Sequence, residues 1–280
     1  MTIIHEPEGP RRTWPGPDAR EMLCPYPGLM PFGAEHRDWF YGRDQMIHTV
    51  LERMDARIRE AGPLVLVGPS GAGKSSLLAA GVLPALGDGR LPVAGSNSWP
   101  QLMLTPTASP SLALAAAAGR EGDDARHLAE SWRSDPAQCV ADLRKITSTE
   151  AEAEAGEGGV AGLIVVVDQF EEVFTACADE TEREWFVEVL DSLAKPAGGA
   201  VVVLSLRADF CAACTSYPQL RAALQAGPVM LGPMTESELK QAIRFPAQNV
   251  RLEVEDGLVG VLLTDLGAVG GLEGTGSAGR

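Results

Sequence analysis

Apolar residues along this chain are spaced in two ways. At 64–67, 163–167 and 200–204 every position is apolar, and weaker runs occupy 101–104 and 229–231. Runs of this length read as strands, and strands apolar on both sides suit a parallel sheet covered by helices on each face. Between the runs the spacing becomes helical. Over 45–58 the apolar positions are Met46, Ile47, Val50, Leu51, Met54 and Ile58; over 181–193 Phe186, Val189, Leu190 and Leu193 share one face. Thr181 with Glu184, and Thr235 with Glu238, have the spacing of capping boxes, so helices are expected to open there. Further helices are predicted over 74–83, interrupted near Pro84, through the alanine run 115–118 after Pro110, and over 257–266. Strand and helix alternate, which predicts an α/β fold with right-handed crossovers.

Composition narrows the picture without changing it. The chain has 280 residues, 45% hydrophobic and 22% charged, ordinary for a soluble globular protein and enough for a real core. Its formal net charge of −15 argues against a general nucleic-acid-binding surface, which needs basic stripes. It leaves room for a nucleotide pocket, since backbone amides and one lysine suffice to hold a triphosphate. The five cysteines, Cys24, Cys139, Cys177, Cys211 and Cys214, are too sparse and irregular for a disulfide scaffold. The N-terminus has no secretory pattern, and no apolar run approaches the ~18 residues of a membrane span. A cytoplasmic protein with no membrane partner is expected. Residues 1–24, rich in Pro, Gly and charge, and the Gly-rich stretch 267–280 read as disordered tails. Glu150, Glu152, Glu154 and Glu157 read as a solvated loop.

The strongest chemical signal is Gly68-Pro69-Ser70-Gly71-Ala72-Gly73-Lys74-Ser75, an ungapped G-x-x-x-x-G-K-[ST] phosphate loop. It follows an apolar strand and opens a helix, as the motif requires. The glycines let the backbone turn its N–H groups inward as an anion nest, and the helix adds its positive end. Lys74 is expected on the β- and γ-phosphates, Ser75 on Mg²⁺, and Ser76 continues the nucleotide-contacting stretch.

A second signal is Asp168, which ends the strand 163–167 and precedes Gln169-Phe170-Glu171-Glu172. A carboxylate at the C-terminal edge of an α/β sheet faces the ligand side. Asp168 is expected to hold Mg²⁺ through water, and Glu171 or Glu172 to orient or deprotonate the attacking water. At a third strand end, Arg207 either feels the γ-phosphate or pairs with Asp209 on the surface.

These motifs, together with Pro25-Tyr26-Pro27-Gly28-Leu29, Phe40-Tyr41-Gly42-Arg43-Asp44, Leu206-Arg207-Ala208-Asp209-Phe210 and Pro233-Met234-Thr235, resemble the STAND class of signalling P-loop NTPases. Within it they are similar to the bacterial novel STAND group often joined to β-propeller repeats. The resemblance spans roughly residues 24–266. It implies a P-loop NTPase three-layer sandwich with a mostly parallel five-stranded sheet, in which an extra strand separates the phosphate-loop strand from the acidic one. It places Tyr41, Gly42 and Arg43 near the adenine and makes Arg207 a γ-phosphate sensor. It implies ATP and Mg²⁺ as cofactors, slow hydrolysis, and nucleotide-dependent self-association. The nucleotide-binding domain is expected over 25–245 and the start of a helical lid over 246–266. Family members continue into a full lid, a winged helix and a repeat sensor, so a truncated or frameshifted member is expected.

Cys211-Ala212-Ala213-Cys214 has metal or redox spacing, but the two further ligands that zinc needs do not appear nearby, and no such role is assigned. The function expected is an ATP-binding signalling NTPase module. A small-molecule or nucleotide kinase shares the loop, yet the carboxylates after 167 look built for water. The other alternative is a remnant that binds nothing tightly. A GTPase would want an Asn-Lys-x-Asp guanine reader, which Asn97 and Asn249 do not supply.

Overall fold

A computed structural model describes residues 24–154, 162–255 and 257–267. The tails expected at 1–24 and 267–280 lie outside the described residues, apart from Cys24 and Gly267. The strands are β1 (Leu64–Gly68), β2 (Gln101–Leu104), β3 (Leu163–Val167), β4 (Ala200–Arg207) and β5 (Val229–Met230). They form one sheet in the order β2-β3-β4-β1-β5, with every pairing parallel. β4 is therefore the extra strand between β1 and β3 that the resemblance implied.

Successive residues of a strand point to opposite faces, and here both faces are covered. Leu64 and Leu66 of β1 join Ile164 and Val166 of β3 in one buried cluster, with Val50 and Met54 of the helix Asp44–Glu60 and with Leu77 and Leu78 after the phosphate loop. Val65 and Val67 join Leu163, Val165 and Val167 in the other. That second cluster takes Leu114 from the helix Pro110–Ala117, Trp132 from Gly122–Ser134, and Phe186 and Leu190 from Glu180–Leu193. Full burial of each large aliphatic side chain contributes about 1.5–3 kcal/mol. Uninterrupted apolar runs are the consequence of having no solvent face to serve. The weaker run of β2 has its reason in position: β2 is an edge strand and Gln101 is exposed.

Three local expectations are corrected. The helix expected to break near Pro84 continues: Lys74–Ser76 passes into a π-helical segment, Leu77–Val82, and then into Leu83–Gly87. Pro84 is the second residue of that last segment, directly after the π-helical turn. The capping box at Thr181 is absent; the cap lies two residues earlier, at Asp179, which accepts from the Thr181 and Glu182 amides. Asp is the better cap, and it stood just upstream. Glu150, Glu152 and Glu154 lie in the helix Pro136–Glu154 instead of a loop, as alternating Ala and Glu favour, while Glu157 lies outside the described residues. The capping box of Thr235 with Glu238 is present in full.

One buried carboxylate joins the helices on the second face. Glu182 is 5% exposed. Its Oε1 accepts from the Ser109 hydroxyl at 2.9 Å, the Ser111 amide at 3.0 Å and the Ser111 hydroxyl at 2.6 Å. Arg133 of the helix Gly122–Ser134 reaches Oε2 at 3.5 Å. Removing the acceptor strands a buried amide, so Glu182→Ala is expected to destabilise the protein by about 2–4 kcal/mol. Urea denaturation measures this, and a loss below about 0.5 kcal/mol would mean that the carboxylate is dispensable.

Candidate functional site

The phosphate loop turns back on itself through two left-handed glycines, Gly71 at φ +75° and Gly73 at φ +86°. A Cβ at either would meet nothing within 4 Å, so backbone conformation and not crowding requires glycine there. Gly68 differs, because a Cβ would approach Leu231 O to 2.9 Å. The first helical bond after the loop runs from Leu77 N–H to Gly73 O at 2.8 Å. The amides of Lys74, Ser75 and Ser76 therefore precede the helix ladder and form its positive end.

Lys74 is 8% exposed, and its ammonium donates to Gly68 O and Pro69 O at 3.0 Å each. An ammonium has three protons, so one remains for an anion. Burial pulls the lysine's pKa down, while the carboxylates of Glu171 and Asp168 oppose the shift.

Strand register brings the acidic end alongside. Gly68 pairs with Arg207, and Val167 with Leu204. Asp168 is buried and its amide donates to Leu104 O, which fixes it at the end of β3. Its Oδ1 is buried without a hydrogen-bond partner, as are Ser205 Oγ and Arg207 Nε on β4. Buried polar atoms are nearly always paired, so the unpartnered Asp168 Oδ1 at the ligand edge of the sheet fits a site that takes a further polar partner. Glu171 is 8% exposed, and its Oε2 accepts the Arg207 backbone N–H at 3.2 Å. The Arg207 guanidinium pairs with Asp209 at 2.8 Å and lies over the Phe210 ring at 5.6 Å.

A cavity of about 450 Å³ gathers these groups. Of the expected site residues, Ser70, Gly71, Gly73, Lys74, Ser75, Ser76, Asp168, Glu171 and Arg207 line it. Arg207 pairs with Asp209, as one of the two alternatives had it, and it also borders the cavity. Glu172 does not line it, so geometry separates the two glutamates. Gly68 and Pro69 contribute carbonyls to Lys74. Sequence reasoning gave no role to Leu29, Met30, Pro31 and Gln169, which also line the cavity. Gln169 has φ +50°, uncommon for a residue with a side chain, and such outliers cluster at functional sites.

A family model described as novel STAND NTPase 1 matches residues 25–275. The chain belongs to this family. With its all-parallel P-loop sheet, this STAND NTPase is a nucleotide-binding NTPase module. Among solved structures it is similar to a chain of the Drosophila ORC bound to DNA, at 14% identity and a TM-score of 0.52, covering 96% of this chain and 61% of that one. It is also similar to the Aeropyrum pernix ORC1 protein in complex with DNA, at 14% identity and 0.48, covering 76% and 50%, and to the Aeropyrum pernix ORC2 protein in ADPNP-ADP complexes, at 14% and 0.49, covering 74% and 52%. At such identity the likeness is one of fold. The chain spans half to about three fifths of the length of these solved chains. No curated protein matches it.

Tyr41, Gly42 and Arg43 of the STAND NTPase, expected near the adenine, do not line the cavity; Tyr41 and Gly42 pack on the helix Glu236–Asn249, and Arg43 reaches the phosphate loop. Tyr41 packs edge-on against Phe245 at 5.4 Å, and a Cβ on Gly42 would meet Glu238 O at 2.3 Å. Arg43 is 6% exposed; one of its guanidinium nitrogens donates to Gly232 O at 3.0 Å and to Ala72 O, in the phosphate loop, at 3.4 Å. Arg43→Met is expected to cost about 1.5–3 kcal/mol of stability, because buried carbonyls lose a charged donor. Denaturation without nucleotide measures this, and wild-type stability would mean that these bonds are dispensable.

Proposed function

We propose that this STAND NTPase is an ATP-binding signalling switch with slow, Mg²⁺-dependent hydrolysis. The observation that carries the reading is the convergence of Lys74, Ser75, Asp168, Glu171 and Arg207 on one cavity. Lys74 takes the β- and γ-phosphates with its remaining proton, beside the amides that open the helix. Ser75 and Asp168 would hold a magnesium ion, and the buried, unpartnered Asp168 Oδ1 fits that role. When bound, the ion neutralises charge on the β- and γ-oxygens.

Glu171 orients the attacking water as general base, and Arg207 reads the γ-phosphate. One Glu171 oxygen accepts the Arg207 amide, which leaves the carboxylate further acceptor sites for a water, and the Arg207 guanidinium pairs with the exposed Asp209 while bordering the cavity. Slow turnover and a switching role rest on the family to which the chain belongs. Nucleotide-dependent self-association, a cytoplasmic location, and division into a core over 25–245 and the start of a lid over 246–266 belong to the same proposal. Among the described residues no helix is long and apolar enough to cross a membrane.

Two experiments test the reading. Lys74→Met is expected to lower the unliganded melting temperature modestly, since Gly68 O and Pro69 O lose their donor, and to abolish the shift produced by ATP. A persisting ATP shift would overturn the site. Glu171→Gln is expected to retain ATP binding and slow single-turnover hydrolysis by about 100-fold or more, with Glu172→Gln close to wild type. The opposite ranking would move the base to Glu172.

A further inference from the structure

The segment 25–31 has no part in the phosphate chemistry, yet it borders the phosphate cavity. Pro25, Pro27 and Pro31 restrict its backbone, and Met30 N–H closes a turn onto Pro27 O at 3.3 Å, with Gly28 at φ +68°. Both ends of the turn are tied down. On one side the Tyr26 hydroxyl donates to Ile243 O in the helix Glu236–Asn249. On the other, Phe32 N–H donates to the Ser76 hydroxyl at 3.1 Å, and the Phe32 ring meets Phe40 at 5.7 Å. The tip between these anchors carries two large apolar side chains that the protein leaves in solvent, Leu29 at 105% and Met30 at 70% exposure. Both line the cavity with Lys74 and Ser75.

A rigid turn that spends two apolar side chains on solvent at the mouth of a polar cleft has a stabilising purpose only when something apolar covers them. The occupant of this cleft supplies it, since a nucleotide is a polyphosphate attached to a flat base with apolar faces. We infer that Leu29 and Met30 form the nucleoside-facing wall of the site and take the base by apolar contact, while the loop takes the phosphates. This rests on the nucleotide-binding reading above and assigns to the Pro25–Leu29 motif the task of distinguishing a nucleotide from a bare polyphosphate. Contact through faces in place of edges predicts little discrimination between purine bases at this wall.

The test compares ATP with inorganic tripolyphosphate, each with Mg²⁺, by calorimetric titration of the full chain. In Leu29→Ser/Met30→Ser the affinity for ATP is expected to fall about tenfold or more while that for tripolyphosphate stays as in wild type. GTP affinity is expected to fall by a similar factor. Equal losses for ATP and tripolyphosphate would make the turn a support of the loop and overturn the inference, as would unchanged ATP affinity. Both side chains are exposed, so the variant is expected to melt with wild type; Leu29→Met/Met30→Leu, which keeps the apolar surface, is expected to restore ATP affinity. Failure of the wild-type protein to bind either ligand would instead defeat the nucleotide-binding reading itself.

Discussion

Lys74 places an ammonium, 8% exposed, inside a chain of net charge −15. Taking such a charge out of water costs several kcal/mol unless protein oxygens replace the lost hydration. Gly68 O and Pro69 O do so directly, and the carboxylates of Asp168 and Glu171 add a favourable field. The rest of the site follows from holding those oxygens in place. The loop has to double back, which Gly71 and Gly73 permit. β4 has to lie against β1 so that Arg207 sits level with Gly68, and β3 has to follow so that Asp168 emerges on the same edge. A sheet buried on both faces enforces that register, because a slip of one residue would turn every strand's side chains to the wrong cluster.

Much of this was legible in the residues. The runs 64–67 and 163–167 have apolar side chains at each position because both faces are covered, and that property is local to the run. The phosphate loop is likewise self-contained: its glycines, lysine and serine act within eight residues of one another. Asp168 was legible for a related reason, since the end of a buried parallel strand is the ligand edge of such a sheet. The capping box read at Thr235 is present, whereas the one read at Thr181 is absent, because Asp179 offers a competing cap two residues earlier. The helix through Glu154 was obscured by the glycines that follow it.

What stayed hidden depends on contacts distant in sequence. Glu171 and Glu172 are adjacent acids of one type, and only the fold decides that the first reaches the Arg207 amide, 36 positions away. Leu29 to Pro31 carry no chemical signature, and their place at the cavity follows from Phe32 bonding to Ser76 and Tyr26 bonding to Ile243. Gln169 has an unremarkable side chain; its φ of +50° appears only once the strand end is built.

The same long-range contacts make the phosphate loop and the chain beyond β5 mechanically dependent on one another. A single Arg43 nitrogen serves Ala72 O in the loop and Gly232 O after β5, so displacement of either carbonyl alters the geometry of the other bond. Just before Arg43, the close approach of Gly42 to Glu238 and the ring contact of Tyr41 with Phe245 fasten the helix Glu236–Asn249 to the same segment. Tyr26 and Asn249 add hydrogen bonds from opposite directions, Tyr26 to Ile243 O and Asn249 to Asp38 O. These contacts tie the phosphate loop and that helix to one stretch of chain, residues 26–43, which bonds the loop region at Ala72 and Ser76 and the helix at Ile243.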